Sequence, residues 1–186
     1  MRIIGGESRG RIIRLPGACR IRPTTDRVKG ALFNILGSIE GKSFLDLYAG
    51  SGNVGLEALS RGAYTSVFIE KDPRLIETIK ENLRSLGFEG RAEVVAADGE
   101  EGIKSLKKRG ERFDLLFADP PYEEGFITNI VTYLDKAELL AENGIIILQH
   151  SLREPLEQSV TEALSVSDQR RYGDTLLSFL IKHREE

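Results

Sequence analysis

The sequence predicts an α/β fold: a doubly wound, mainly parallel, seven-stranded Rossmann-like sheet with an antiparallel last strand and a small N-terminal β-hairpin extension. Three observations predict it. Short apolar runs alternate with amphipathic helical segments from Ser43 onward, a Gly-rich turn follows the first of those runs, and the last two runs are separated by little more than Gly173-Asp174. Strands alternating with helices form a parallel sheet covered on both faces, whereas a tight turn joins an antiparallel pair.

The chain opens with Arg2-Ile3-Ile4 and Arg11-Ile12-Ile13-Arg14-Leu15, β-branched runs joined through Gly5, Gly6 and Gly10, the pattern of a hairpin or extended arm. Val28, Ala31, Leu32, Ile35 and Leu36 then recur on one face of a helix, with a Thr or Asp of Thr24-Thr25-Asp26 as N-cap and Gly37 or Gly41 to end it. Strands are predicted over 44–48, 66–70, 92–97, 113–118 and 145–148, then 166–171 and 176–181. Between them fall helices over 54–61, through Leu75, Ile76, Ile79, Leu83 and Leu86, over 101–108, through Ile127, Ile130, Val131 and Leu134, and a short helical stretch near 156–164. Residues 1–41 read as a basic hairpin-and-helix extension of the same domain, and residues 42–186 as its main body.

With 186 residues the chain has the size of one compact domain, and 40% hydrophobic against 30% charged residues is the balance of a soluble globular protein. Its start carries arginines without a long apolar run, so neither a signal peptide nor a membrane span is expected, and a cytoplasmic location follows. Cys19 stands alone and His150 and His183 are far apart, so no disulfide and no metal site are expected. The net charge of −3 hides an asymmetry. Up to Lys29 there are eight basic residues against Glu7 and Asp26, a surplus of six on a body that is nine negative. A basic arm on an acidic body is either a phosphate-binding face or a solvated strand pair.

Gly50, Gly52 and Gly55 form G-x-G-x-x-G between the first sheet strand and a helix, the context in which that spacing binds a nucleotide-like ligand. Glu70 follows Gly50 by 20 residues, at the end of the next strand, where a carboxylate can accept ribose hydroxyls. Asp46, Glu70, Asp98 and Asp119 all fall at or near strand ends, and the ligand crevice of an open α/β sheet lies there. Asp46, four residues before Gly50, suits a cationic amino-acid moiety better than a pyrophosphate, and 186 residues leave no second domain to present a hydride acceptor. S-adenosylmethionine is therefore the predicted cofactor. Asp46, Tyr48, Gly50, Gly52, Glu70, Lys71, Asp98 and Gly99 are its candidate contacts, with Asp98 able to accept from the adenine amine.

Asp119-Pro120-Pro121-Tyr122, directly after an apolar strand, is the sharpest chemical signal. The lone pair of a base amino group is delocalised into its ring, so attack on a methyl sulfonium needs acceptors that hold the N–H hydrogens. The Asp119 carboxylate and the Pro120 carbonyl can do so, with the prolines keeping that carbonyl rigid, and Tyr122 offers a face for the base. Asp119, Pro120 and Tyr122 are the candidate catalytic residues. Arg9, Arg11, Arg22, Thr24, Thr25, Arg27, Pro121 and Tyr122 are the candidate substrate contacts.

Arg2-Ile3-Ile4-Gly5-Gly6, Arg22-Pro23-Thr24-Thr25-Asp26-Arg27-Val28, Phe33-Asn34, the stretch from Leu45 to Gly52, Asp119 to Tyr122 and Tyr172-Gly173-Asp174-Thr175 together resemble the bacterial family that methylates N2 of a guanine in 16S ribosomal RNA. The resemblance spans nearly the whole chain. Its most specific part is Arg22 to Arg27, because Asp-Pro-Pro-Tyr also occurs in DNA amino-methyltransferases. It implies a class I methyltransferase fold, Asp46, Gly50, Gly52, Glu70 and Asp98 around the cofactor, and Asp119 to Tyr122 around the target base. It further implies an Arg22–Arg27 segment that closes over the cofactor and approaches RNA, with 16S rRNA in the 30S subunit or its assembly intermediate as partner. Nothing in the sequence demands a dimer, so a monomer is expected. The residues alone leave open a DNA adenine or cytosine amino-methyltransferase and a non-catalytic dinucleotide-binding regulator.

Overall fold

Helical returns carry the chain back after each of the first four strands, so five strands run parallel and their carboxyl ends meet at one edge of the sheet. In the computed structural model, which describes residues 1–16, 25–121, 126–154, 156 and 160–183, these are β1 (Ser43–Leu47), β2 (Thr65–Glu70), β3 (Ala92–Ala96), β4 (Phe113–Ala118) and β5 (Leu140–Ser151). The helices are α1 (Asp26–Leu36), α2 (Asn53–Ser60), α3 (Pro73–Leu86), α4 (Gly99–Lys108) and α5 (Phe126–Ala137). The last strands, β6 (Leu164–Tyr172) and β7 (Thr175–Lys182), pair antiparallel, and β7 enters beside β5 to give the order β3-β2-β1-β4-β5-β7-β6. The predicted architecture holds, including the antiparallel last strand. No helix among the described residues is long and apolar enough to cross a membrane.

Local chemistry sets the helix limits. Thr25 caps α1 by accepting from Val28 N, Asp72 caps α3 with Pro73 in its first turn, and Asp98 caps α4 by accepting from Glu101 N. Leu75, Ile76, Ile79, Leu83 and Leu86 form the buried face of α3, as their spacing predicts. One core lies between the sheet and α4 and α5, built on Leu45, Leu47, Ile69, Ile103, Ile130 and Leu134. On the other face Phe44, Phe117 and Ile147 pack with α1 and α2, while Phe68 packs with α2 and α3.

Two elements differ from expectation. β5 runs from Leu140 to Ser151, well beyond 145–148, because Phe113 pairs with Leu140 before a register shift. The exposed Glu142 and Asn143 break the apolar pattern there without ending the strand. The helical stretch expected near 156–164 is absent from its described part. Val160 N and Thr161 N both donate to the Leu164 carbonyl, closing a turn, and Leu164 starts β6 opposite Lys182 with its side chain buried. Residues 155 and 157–159 lie outside the described residues.

The N-terminal arm turns back on itself with a single antiparallel bridge between Arg2 and Ile12. Ile3 and Ile13 are buried beside Leu56, Leu59, Phe68 and Leu83. Gly6 has φ +76°, and a Cβ there would lie 1.7 Å from the Ser60 carbonyl oxygen, so the arm approaches the end of α2 as only glycine allows. Ile4 N donates to Glu57 Oε2 at 2.9 Å, and Arg14 exchanges backbone hydrogen bonds with the Asn82 amide on α3.

Beneath the arm sits a fully buried ion pair. Lys29 Nζ lies 3.1 Å from Glu57 Oε2 and donates to the Arg2 carbonyl at 2.8 Å and to Asn53 Oδ1 at 2.7 Å. Burial pulls the Lys29 ammonium below the usual lysine range, and Glu57 works against that shift. Lys29→Met would leave Glu57 buried without this cation. The expected loss is ~3 kcal/mol of unfolding free energy, seen as a lower midpoint in urea; an unchanged midpoint would show that the pair does not hold the arm to α2.

Candidate functional site

The carboxyl ends of β1, β2, β3 and β4 border a cavity of about 700 Å³ whose other wall is α5, through Asn129, Ile130 and Tyr133. Asp46, Tyr48, Gly50, Glu70, Lys71, Asp98, Gly99, Asp119, Pro120 and Pro121 all line it. A space of that size accommodates a nucleoside joined to an amino acid, and leaves room beside it.

The floor is the turn from β1 into α2. Gly50 and Gly52 have φ of 58° and 79°, and Tyr48, at φ 64°, is one of two non-glycine residues with positive φ among the described residues. Gly52 does not line the cavity. It caps α2 in the left-handed conformation, and a Cβ would press on Ile79, Leu56 and Phe68. Gly55 serves packing: a Cβ there would meet Phe68 Cε1 at 2.3 Å, the close helix–strand approach that the third glycine of this motif provides.

Each acid at the strand ends meets N–H donors. Asp46 Oδ2 accepts from Gly55 N at 2.8 Å, tying β1 to α2. Burial pushes the Asp46 carboxyl well above the usual carboxylate range; the Gly55 N–H opposes this, and the Asp119 and Glu70 charges add to it. Glu70 Oε2 accepts from Gly50 N at 2.8 Å, and its Oε1 accepts from Lys71 N and Asp72 N. This carboxylate therefore fixes the loop that it faces, a role that strand-end position alone does not reveal. Asp98 Oδ1 accepts from Glu101 N at 2.9 Å. Asp119 Oδ2 accepts from Gln149 Nε2 at 2.8 Å.

Tyr48 and Gly99 form one wall together. A Cβ on Gly99 would fall 2.1 Å from the Tyr48 hydroxyl, so the phenol end of the ring packs against the start of α4. Burial, with the Asp98 and Glu100 charges, pushes the Tyr48 hydroxyl up to about 12, so it stays protonated near neutrality.

The candidate substrate contacts are more dispersed. Pro121 is exposed at the rim. Thr25 is occupied as the cap of α1, and Arg9 and Arg27 are exposed but do not line the cavity. Arg11 extends away from it, donating to the Ser85 carbonyl at 2.5 Å. Arg22, Thr24 and Tyr122 lie outside the described residues. The basic arm is also less free than its composition implies, since Lys29 is fully buried, Arg2 faces Asp26 at 3.4 Å, and Arg14 faces Glu81 at 3.4 Å. Sequence reasoning missed the α5 wall and Gln149. Ile130 fits its core stripe, and nothing in the strand pattern marks a lone glutamine.

Over residues 1–181 the chain matches the family described as "Conserved hypothetical protein 95". It is 37% identical over 176 residues to the Bacillus subtilis (strain 168) protein named "Putative rRNA methyltransferase YlbH", which covers 94% of this chain and 95% of that one. To "Ribosomal RNA small subunit methyltransferase D" of Escherichia coli (strain K12) it is 36% identical over 157 residues, covering 84% and 77%. The solved structure "Putative methyltransferase yhhF from Escherichia coli" superposes with a TM-score of 0.88 at 30% identity, covering 100% of this chain and 99% of that one.

Gly55→Ala tests the packing at the floor. The added methyl collides with Phe68 and with Ser66 Oγ, so unfolding free energy falls by about 1–3 kcal/mol in a urea titration; an unchanged midpoint would mean that the helix and strand are not in the contact described.

Proposed function

The chain belongs to the family described as conserved hypothetical protein 95, and we propose that this protein is an S-adenosylmethionine-dependent methyltransferase acting on the exocyclic N2 amine of a guanine in 16S rRNA of the small ribosomal subunit. One observation carries the reading: Asp119, Pro120 and Pro121, at the end of β4, line the same cavity as the Gly-rich loop, Glu70 and Asp98. The relatives named above supply the substrate class, and the resemblance of the motifs supplies the guanine.

The lining fits the cofactor. Asp46 is a fully buried carboxylate with two further acids close enough to disfavour its charge, a place that a cationic group relieves. Glu70 lies against Gly50 for the ribose, and Asp98, Gly99 and Tyr48 form the wall for the adenine, with Lys71 at the rim. Bound there, S-adenosylmethionine supplies an electrophilic methyl on a sulfonium.

Asp119 and the Pro120 carbonyl accept the two N–H hydrogens of the incoming amine, localising its lone pair toward the methyl. Asp119 also takes up the proton that the amine loses when its new N–C bond forms and the methyl–sulfur bond breaks. The base is turned out of the RNA to reach this edge, at a cost of a few kcal/mol that falls where the nucleotide is already unpaired, and Tyr122 stacks on it. Arg9, Arg11, Arg22, Thr24, Thr25 and Arg27 guide the RNA, with Arg9 and Arg27 exposed for that purpose. Residues 1–41 and 42–186 act as one domain, in a monomeric cytoplasmic protein.

A labelled-methyl assay with 30S particles, naked 16S rRNA and duplex DNA tests the assignment. Label is expected at guanine N2 of 16S rRNA, and Asp119→Ala should lower kcat by roughly 10²–10³ with S-adenosylhomocysteine affinity little changed. Transfer to duplex DNA alone would replace the RNA reading, and near-normal turnover of Asp119→Ala would remove the role given to that carboxylate.

A further inference from the structure

We infer that Gln149 is a positioning residue for the reaction: its side-chain amide holds the Asp119 carboxylate in the orientation and charge state in which it accepts the target amine. The inference rests on the role proposed for Asp119.

Strand register brings the two residues together. Ala118 pairs with Leu148 across β4 and β5, so the next residues, Asp119 and Gln149, are neighbours at the carboxyl edge. Gln149 Nε2 donates to Asp119 Oδ2 at 2.8 Å, and the glutamine is only 5% exposed. Its Oε1 is buried with no hydrogen-bond partner. Leaving a buried acceptor unpaired destabilises a fold, whereas an apolar side chain of similar shape would avoid that cost. The amide is therefore poorly explained by packing and well explained by its contact to Asp119.

That contact has a chemical consequence. A glutamine NH₂ group only donates, so it favours the ionised carboxylate, the form that accepts an amine hydrogen. It occupies Oδ2 and fixes the carboxylate plane. The need is specific to this place. Asp46 lies on the neighbouring strand β1, close enough that it and Asp119 disfavour simultaneous negative charge. From α1 and α2 with its C-cap, on the same face of the sheet, the charges are Asp26, Arg27, Lys29, Glu57 and Arg61; Lys29 and Arg61 bond through Glu57, Asp26 faces Arg2, and Arg27 is exposed. From β7, Gln149 is paired with the apolar Leu177. His150 points to the opposite face, where it bonds Ser178 Oγ and the Glu154 carbonyl. Asp46, Glu70 and Asp98 accept from backbone N–H groups, whereas the Gln149 amide that donates to Asp119 is a side chain that substitution can remove.

The test uses the full chain in the methyl-transfer assay with 30S particles. Gln149→Leu keeps the volume and removes the donor. Its kcat is expected to fall about 10- to 100-fold, the range for losing a hydrogen bond to a charged group, with RNA KM and S-adenosylhomocysteine affinity unchanged. Gln149→Glu restores a donor only while the new carboxyl is protonated, so its kcat should be closest to wild type at low pH and fall as pH rises. In an Asp119→Ala background, Gln149→Leu should lower kcat no further. Wild-type kcat in both single variants across the pH range would overturn the inference, as would equal losses of turnover, affinity and folding stability without the altered pH profile. If Asp119→Ala itself keeps normal turnover, the catalytic reading fails; if it is inactive while both Gln149 variants remain normal, only this inference fails.

Discussion

Parallel strands leave their carboxyl ends at one edge, and at that edge this chain places four acids. Asp46 is the penultimate residue of β1, Glu70 ends β2, Asp98 lies just after β3 and Asp119 just after β4. Such a gathering of negative charge persists only when each carboxylate is met by donors or can take up a proton. The donors are part of the architecture: Gly55 N at the start of α2, Gly50 N in the loop, Lys71 N and Asp72 N before α3, Glu101 N at the start of α4, and the Gln149 amide. Helix N-termini point their free N–H groups at the same edge, so the alternation that builds the sheet also supplies the partners for its acids.

The same contacts explain why the cavity has defined walls. Glu70 draws the Gly-rich loop toward β2, and Asp46 anchors α2 beneath it, so loop and strand ends form one connected structure. On the far side of α2, the arm is held by Ile3 and Ile13 in the core and by the Lys29–Glu57 pair, which also reaches Asn53 at the cavity. The N-terminal extension is thus bonded to the helix that carries the site, and its buried lysine contributes to architecture and not to a surface field.

Much of this was legible from residue order. The period of α3, the tight turn between β6 and β7, and the G-x-G-x-x-G spacing each state a local constraint that tertiary packing does not override. Less legible were features set by contacts distant in sequence. Lys29 counts as a surface cation until Glu57, 28 residues later, is seen beside it. Glu142 and Asn143 look like the end of a run, yet β5 continues through them because β4 supplies a partner at Leu140. Leu164 looks like the close of a helical stretch, yet it belongs to β6. Gln149 carries no signal at all until the β4–β5 register sets it against Asp119.

The central claim is one of alignment: methyl donor and rigid acceptors share a single crevice, with space for a purine between them. A crystal structure with S-adenosylhomocysteine tests it most directly. The sulfur should face Asp119 and the Pro120 carbonyl, with a gap wide enough for a base against that edge. A sulfur turned away from those groups, or a ligand that fills the gap, would contradict the account.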